Sequence, residues 1–127
     1  MKTIILDTNF LLIPGNKGVD IFSEIQEIAD FQYELAVIDK TQIELDNIIK
    51  NQKGKYREAA LIAKQLIKTK NLNIVHSTSE KSVDDIIVSL AQENQELVIA
   101  TQDKGLKKRI PGNRLIVLKQ GKYLTFV

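Results

Sequence analysis

Four carboxylates in this chain stand where a folded sheet could gather them. Each lies at the end of an apolar run or near the start of a helical segment: Asp7, Glu44, Asp85 and Asp103. Acidic groups brought close together repel one another, so a fold that collects them usually also collects a divalent cation. Such a cation can polarise a phosphoryl oxygen and lower the pKa of an attacking water. The pattern therefore suggests metal-assisted cleavage of phosphodiesters.

The composition restricts which metal could serve. The 127 residues include no cysteine and a single histidine, so thiolate sites and disulfides are excluded and a paired-imidazole site is disfavoured. Oxygen would have to hold the ion, which favours magnesium or manganese. Whether the acids hold one ion or two stays open. A chain of this length is expected to form one domain over residues 1–127. The lack of cysteine fits a reducing compartment, and we expect the protein in the cytoplasm.

A net charge of +2 hides a strong asymmetry along the chain. Between Lys50 and Lys70 the charged residues are basic except for Glu58, and the segment from Lys104 to Lys122 carries no acid. Basic stretches beside acidic positions suit a phosphate-backbone partner, although solvated faces would look the same. The candidate RNA contacts are Lys55, Tyr56, Arg57, Lys107, Lys108 and Arg109. No apolar run approaches the roughly 20 residues needed to span a bilayer, so a membrane partner is not expected.

Short β-rich runs alternate with longer helical ones. The β-rich runs predict five strands and a sixth at the end: Thr3–Leu6, Glu34–Ile38, Leu72–His76, Leu97–Thr101, Leu115–Lys119 and Tyr123–Val127. The first four are mostly continuous apolar runs, which is typical of strands covered on both faces. Gln120-Gly121 predicts a hairpin turn, so the sixth strand would run antiparallel at an edge.

Apolar residues at helical spacing predict four longer helices: Val19–Ala29, Thr41–Asn51, Lys55–Lys70 and Val83–Glu93. One apolar stripe is expected on the third of them: Ala59, Ile62, Ala63, Leu66 and Ile67. Repeated strand–helix alternation predicts an α/β fold, with a mostly parallel sheet sandwiched between helices.

The four acids are expected at one edge of that sheet. Parallel strands point their carboxyl ends to the same edge, and ligands bind there. Asp7 directly follows the first predicted strand, and Asp103 lies two residues beyond the fourth. Glu44 lies one turn into the helix after the second strand, and Asp85 lies just inside the helix after the third.

Two of the acids could instead serve to cap helices. Thr41-x-x-Glu44 matches a capping box, in which the Glu carboxylate accepts the cap residue's backbone N–H. Ser82-x-x-Asp85 offers a weaker version of the same arrangement, helped by the helix dipole. Asp84 beside it reads as a surface acid of the first helical turn.

The other two acids also have local explanations. Asp7 could begin a turn, because Asp-Thr-Asn is favourable turn chemistry, and Asp103 could be the N-cap of a short basic helix. Asn9 and Thr101 could donate hydrogen bonds that orient the carboxylates, or they could bond only within their own turns.

Four segments together resemble the successive motifs of the PIN-domain nucleases. They cover nearly the whole chain in order: Ile5-Leu-Asp-Thr-Asn-Phe-Leu-Leu, Ile43-Glu-Leu, Asp84-Asp-Ile-Ile-Val-Ser-Leu-Ala and Val98-Ile-Ala-Thr-Gln-Asp-Lys-Gly-Leu-Lys-Lys-Arg-Ile. Within that superfamily, Gly54-Lys-Tyr-Arg-Glu-Ala-Ala and Leu106-Lys-Lys-Arg-Ile-Pro-Gly resemble the PIN nuclease of the small-subunit processome, which cuts ribosomal RNA precursors. The chain looks like a compact archaeal relative, and the VapC-type toxins are the next most similar group.

The resemblance implies a Rossmann-like three-layer α/β/α sandwich with about five strands. It also implies a magnesium- or manganese-dependent endoribonuclease. Carried onto this sequence, the family's acidic site falls on Asp7, Glu44, Asp85 and Asp103, with polar support from Asn9 and Thr101.

The implied function keeps alternatives. The leading interpretation is cleavage of ribosomal RNA precursor, with pre-ribosome proteins as partners. A VapC-type toxin held by an antitoxin, often as a homodimer, is the second, and an RNA-binding PIN scaffold with weak chemistry is the third. A phospho-acceptor receiver domain is disfavoured, because it needs an aspartate after the third strand, where this chain has His76-Ser77.

Overall fold

The computed structural model describes residues 1–78 and 80–127. Strands and helices alternate along most of the chain. In chain order the elements are β1 (Lys2–Leu6), α1 (Thr8–Leu11), α2 (Ile13–Lys17), α3 (Ile21–Ile28), β2 (Tyr33–Ile38), α4 (Asp39–Asn51), α5 (Gly54–Thr69), β3 (Asn73–Val75), α6 (Val83–Glu93), β4 (Val98–Ala100), α7 (Lys104–Arg109), β5 (Leu115–Lys119) and β6 (Tyr123–Phe126).

The strands form one sheet in the order β3-β2-β1-β4-β5-β6. The first five strands are parallel, and β6 runs antiparallel to β5 at an edge. β1 is central, with Ile4 opposite Leu35 on one side and Val98 on the other. From β1 the chain adds β2 and β3 on one side of the sheet, and after β3 it crosses to add β4 on the other side of β1. Ligands bind at such a switch point in open α/β sheets, and Asp7 follows β1 there.

Two hydrophobic cores cover the two faces of the sheet. Side chains alternate along β1, so Ile4 and Leu6 enter the core under α1 to α5, whereas Ile5 enters the core under α6 and α7. The three layers of the predicted α/β/α sandwich are therefore confirmed. Gly15 allows a close approach of α2 to α5 within one layer, because a Cβ there would lie 2.5 Å from the Cα of Ala59.

Most predicted elements are present with bounds shifted by one or two residues. The hairpin before β6 is confirmed, with Gln120 and Gly121 both at positive φ. Two short helices, α1 and α2, were not predicted, because the dipeptide Pro14-Gly15 is typical of a turn. In the structure Pro14 lies in the first turn of α2, a position that proline favours.

Two predictions about burial are wrong. β3 is not covered on both faces, because it lies at the edge of the sheet, with Asn73 exposed and Ile74 only half-buried. The apolar stripe of α5 is also shifted. Ala60 is buried, whereas Ile62 is exposed beside Leu61, since the helix packs between α2 and α4 through its alanines.

Within the part of the chain that the structure describes, none of the helices has the length and apolar character required to cross a membrane.

Candidate active site

Asp7 lies at the carboxyl end of β1 and is almost completely buried, with 3% of its surface exposed. One carboxylate oxygen accepts the backbone N–H of Thr8 at 2.8 Å, and the other accepts the hydroxyl of Thr101 at 2.8 Å. These two donors do not offset the loss of water. Burial, with smaller contributions from the charges of Asp84 and Glu44, raises the pKa of Asp7 to about 6. Asp7 is therefore a carboxylate whose negative charge the surrounding protein disfavours.

Asp84 is the acid of α6 that belongs to this site. Its charge acts on Asp7, and burial followed by the charge of Asp103 raises its own pKa. Asp84 thus connects Asp7 to Asp103 electrostatically across the edge of the sheet. Sequence reasoning had placed Asp84 on the surface. The helical spacing carried the opposite signal, because Asp84 precedes the buried Val88 and Ala91 by four and seven residues.

Asp85, predicted as the α6 member of the acidic site, is paired with a cation in this structure. Its carboxylate accepts a hydrogen bond from the guanidinium of Arg109 at 2.8 Å, and this bond holds the pKa of Asp85 below its usual range. Residues four and seven positions later, Ser89 and Gln92, are outside the core. The structure therefore favours Asp84 over Asp85.

Glu44 is held near the site by a buried hydroxyl pair. The helix α4 begins at Asp39, so Thr41 is inside its first turn and Thr41-x-x-Glu44 is not a capping box. The Thr41 hydroxyl instead bonds the Thr8 hydroxyl at 3.0 Å, one turn before Glu44. This contact ties α4 to the residue after Asp7. Thr8 and Thr41 were not predicted, although Thr41 shares the buried face of α4 with Leu45 four residues later.

Asp103 is both an acid of the site and a helix cap. It is the N-cap of α7, where its side chain accepts the N–H of Leu106 at 3.1 Å. The N–H of Asp103 donates to the Thr101 hydroxyl at 3.0 Å, and the same hydroxyl donates to Asp7. Thr101 therefore joins the loops that carry these two acids. Asn9 is exposed on α1.

The site fits a hard cation by its chemistry, but its side chains are not arranged as ligands of one ion. Its donors are carboxylate and hydroxyl oxygens, which magnesium and manganese prefer. The pKa of Asp7 is raised by burial and, to a lesser extent, by neighbouring carboxylates, and a bound cation would favour its ionised form. However, residues 1–78 and 80–127 contain no group of three acidic or histidine side chains close enough to hold an ion together. The predicted convergence on a shared ion is therefore not present.

The predicted basic residues lie on two elements beside the acids. Lys107, Lys108 and Arg109 form the last turn of α7, the helix that Asp103 begins. Lys55, Tyr56 and Arg57 lie in the first turn of α5, which begins at Gly54 after the turn that joins it to α4. That turn follows Glu44 by seven helical residues, or about 10 Å at 1.5 Å per residue. Arg57 also donates a hydrogen bond to the carbonyl of Ile49, so it helps to hold the start of α5 against the end of α4.

A Rossmann-like sandwich with acids at the carboxyl edge of its central strands defines a class of small α/β domains. This chain belongs to the family described as "PIN like domain", which matches residues 4–121. The family assignment therefore covers nearly the whole chain.

Two relatives are similar over almost their full lengths. Ribonuclease VapC4 of Methanocaldococcus jannaschii is 30% identical over 125 residues, covering 97% of this chain and 95% of the relative. The structure of the PIN domain endonuclease Utp24 matches with a TM-score of 0.77 at 23% identity, covering 98% of this chain and 90% of that chain. At this identity the second similarity concerns the fold.

Proposed function

We propose that this PIN domain is an endoribonuclease that hydrolyses RNA phosphodiester bonds with the help of magnesium or manganese. The observation that carries the proposal is Asp7, which is buried at the switch point of the sheet with Asp84 and Glu44 close enough to raise its pKa. Burying a carboxylate among other acids is costly, so a role in binding a cation explains why the protein keeps it.

Asp7, Asp84 and Asp103 are the residues that would hold the ion, and Glu44 would orient the attacking water. When bound, the ion would polarise the phosphoryl oxygen and make that water more acidic. Thr101 fixes the relative positions of Asp7 and Asp103 through its single hydroxyl. Lys107 and Lys108 on α7 would attract the RNA backbone by charge. The acids need to move closer together for this chemistry, because they do not form a ligand group in this structure.

The proposed substrate class is RNA, and ribosomal RNA precursor is the proposed natural target. The first part is supported by the relative named Ribonuclease VapC4, at 30% identity over the whole domain. The second part rests on the resemblance of residues 54–60 and 106–112 to the processome nuclease.

Cleavage assays test the proposal directly. Purified protein is incubated with precursor ribosomal RNA and with an unrelated messenger RNA, in manganese, in magnesium and in EDTA, and the cut ends are mapped. We expect cuts at defined sites that need the metal and disappear in Asp84→Asn. Cleavage that persists in EDTA or in this variant would contradict the assigned site. Equal cutting of both RNAs would contradict the ribosomal target.

A second candidate function is that of a toxin restrained by an antitoxin protein. It is favoured by the identity to VapC4, which exceeds the identity to Utp24. Induced expression in a heterologous host separates the two functions. A toxin would arrest growth in an Asp84-dependent manner, whereas a processing enzyme specific for its own precursor would leave growth unchanged.

A further inference from the structure

We propose that Asp85 is a positioning residue, which orients the guanidinium of Arg109 to bind a phosphate of the RNA next to the acidic site. The inference rests on the proposed function for the identity of the ligand. It gives Asp85 a role that is distinct from the metal-binding role expected from the sequence.

Geometry places Arg109 between the two helices that carry acids of the site. It occupies the last position of α7, which Asp103 begins, and bonds Asp85 near the start of α6 at 2.8 Å. Its positive charge also acts on Asp84, the immediate neighbour of Asp85 and the acid coupled to Asp103. Arg109 is therefore a cation at the border of an otherwise negative site.

Stability does not explain the ion pair. Both side chains are about half exposed, at 48% for Arg109 and 45% for Asp85, and exposed pairs contribute little to folding. A guanidinium has five N–H donors, and the bond to Asp85 uses the Nη2 group alone. Donors thus remain for a phosphate, which guanidinium groups bind in a fixed, often bidentate geometry. The pair therefore holds a long side chain in one orientation while leaving it able to bind.

The alternative roles of Asp85 predict different changes in RNA affinity when its charge is removed. A surface carboxylate near RNA repels the phosphates, so its neutralisation would strengthen binding. A metal ligand would affect binding only when the metal is present. A positioning residue, in contrast, would weaken binding when it is neutralised, with or without metal, and only while Arg109 is present.

The test is a double-mutant cycle on RNA affinity. Wild type, Asp85→Asn, Arg109→Gln and the double variant are titrated into a fluorescein-labelled single-stranded oligouridylate in EDTA, and fluorescence anisotropy is measured at several salt concentrations. Asp46→Asn is the matched control, because Asp46 forms an exposed ion pair with Lys64 between α4 and α5. Thermal melting confirms that each variant is folded.

We expect Arg109→Gln to weaken binding by about tenfold, as for the loss of one charge-assisted contact. Asp85→Asn should weaken it by roughly threefold, and the double variant should match Arg109→Gln. The slope of log affinity against log salt concentration should also become shallower by about 0.7 in Arg109→Gln, where one phosphate contact is lost, and by less in Asp85→Asn, where that contact is only weakened. Asp46→Asn should leave affinity unchanged or slightly stronger.

Three results would overturn the inference: unchanged or tighter binding by Asp85→Asn, losses that add in the double variant, or no measurable RNA binding by wild type. A fourth measurement addresses the metal directly. If magnesium stabilises wild type against heat but not Asp85→Asn, then Asp85 is a ligand and the inference is wrong. RNA binding without cleavage in magnesium or manganese would contradict the proposed function and leave this inference standing.

Discussion

Asp7 and Asp39 follow neighbouring parallel strands, at the same edge of the sheet, yet their environments are opposite. Asp7 comes directly after β1 and Asp39 directly after β2. Both side chains accept the backbone N–H of the next residue at 2.8 Å. Despite this shared local geometry, Asp7 is a candidate catalytic acid, whereas Asp39 holds two segments of the chain together.

The difference lies in what the rest of the chain brings to each carboxylate. Asp39 also accepts the N–H and the hydroxyl of Ser77 at 2.9 and 2.8 Å, which joins α4 to the segment after β3. These bonds hold the pKa of Asp39 below its usual range, whereas burial raises the pKa of Asp7 to about 6. The comparison shows that the distant neighbours of an acid, rather than its position after a strand, decide its role.

The largest expected effect is on cleavage. Asp7→Asn should lower the rate of RNA hydrolysis by about 1,000-fold, which corresponds to several kcal/mol of lost transition-state stabilisation. Asp39→Asn should keep the rate within about threefold, because Asp39 contacts Ser77 instead of the site. Initial rates in manganese measure both variants. Equal losses would show that the two aspartates do not differ in function.

The second effect is on stability, where the two substitutions should act in opposite directions. The folded pKa of Asp7 is raised, so ionisation destabilises the fold as the pH rises from about 4 to about 6, by roughly 3 kcal/mol at 1.4 kcal/mol per pKa unit. Asp7→Asn should therefore stabilise the metal-free protein above pH 7 by about 2 kcal/mol, since an unfavourable amide contact with Thr101 offsets part of the gain. Below pH 4 the gain should vanish.

Asp39→Asn should instead destabilise the protein at pH 7, by about 1 kcal/mol. The folded pKa of Asp39 is lowered, so its contribution is present above its unfolded pKa of 3.8 and is lost as the pH falls through the folded value. Urea unfolding in EDTA at pH 3.5 and 7.5 measures both variants. If both substitutions changed the free energy of unfolding in the same direction at pH 7.5, the fold would not disfavour the charge of Asp7 while favouring that of Asp39.

Metal binding should also distinguish Asp7 from Asp39. Magnesium at about 100 times its dissociation constant should stabilise the wild type and Asp39→Asn by about 2.7 kcal/mol, and it should leave Asp7→Asn unchanged. Thermal melting with increasing magnesium chloride provides the measurement. An identical stabilisation of Asp7→Asn would place the ion elsewhere.

The smallest effects come from removing one hydroxyl donor beside each acid. Thr101→Val takes a hydrogen bond from Asp7 and should raise the pKa of Asp7 further, costing about 1 kcal/mol more at pH 8 than at pH 4. Ser77→Ala takes one from Asp39, which keeps two backbone donors, so its cost at pH 7 should be under about 1 kcal/mol. The pH dependence of urea unfolding separates the two, and a pH-independent cost for Thr101→Val would contradict the role given to its hydroxyl.

Local patterns determined a large part of this protein. The alternation of apolar strand runs with helical stripes was enough to predict the parallel sheet, the antiparallel last strand and the edge at which the acids lie. These features depend on residues close in sequence, such as Gln120-Gly121 in the final hairpin. The motifs from Ile5 to Ile110 likewise indicate the PIN family from the sequence alone.

Tertiary structure decided which acids act together. Ile5-Leu-Asp-Thr and Val37-Ile-Asp-Lys look alike as sequence, and Asp84-Asp85 gives two adjacent candidates. The choice depends on hydrogen bonds between residues far apart in the chain: Thr101 to Asp7, Ser77 to Asp39 and Arg109 to Asp85. A carboxylate's pKa is set by burial, by nearby charges and by the hydrogen bonds that it accepts, and only the packed fold fixes all three.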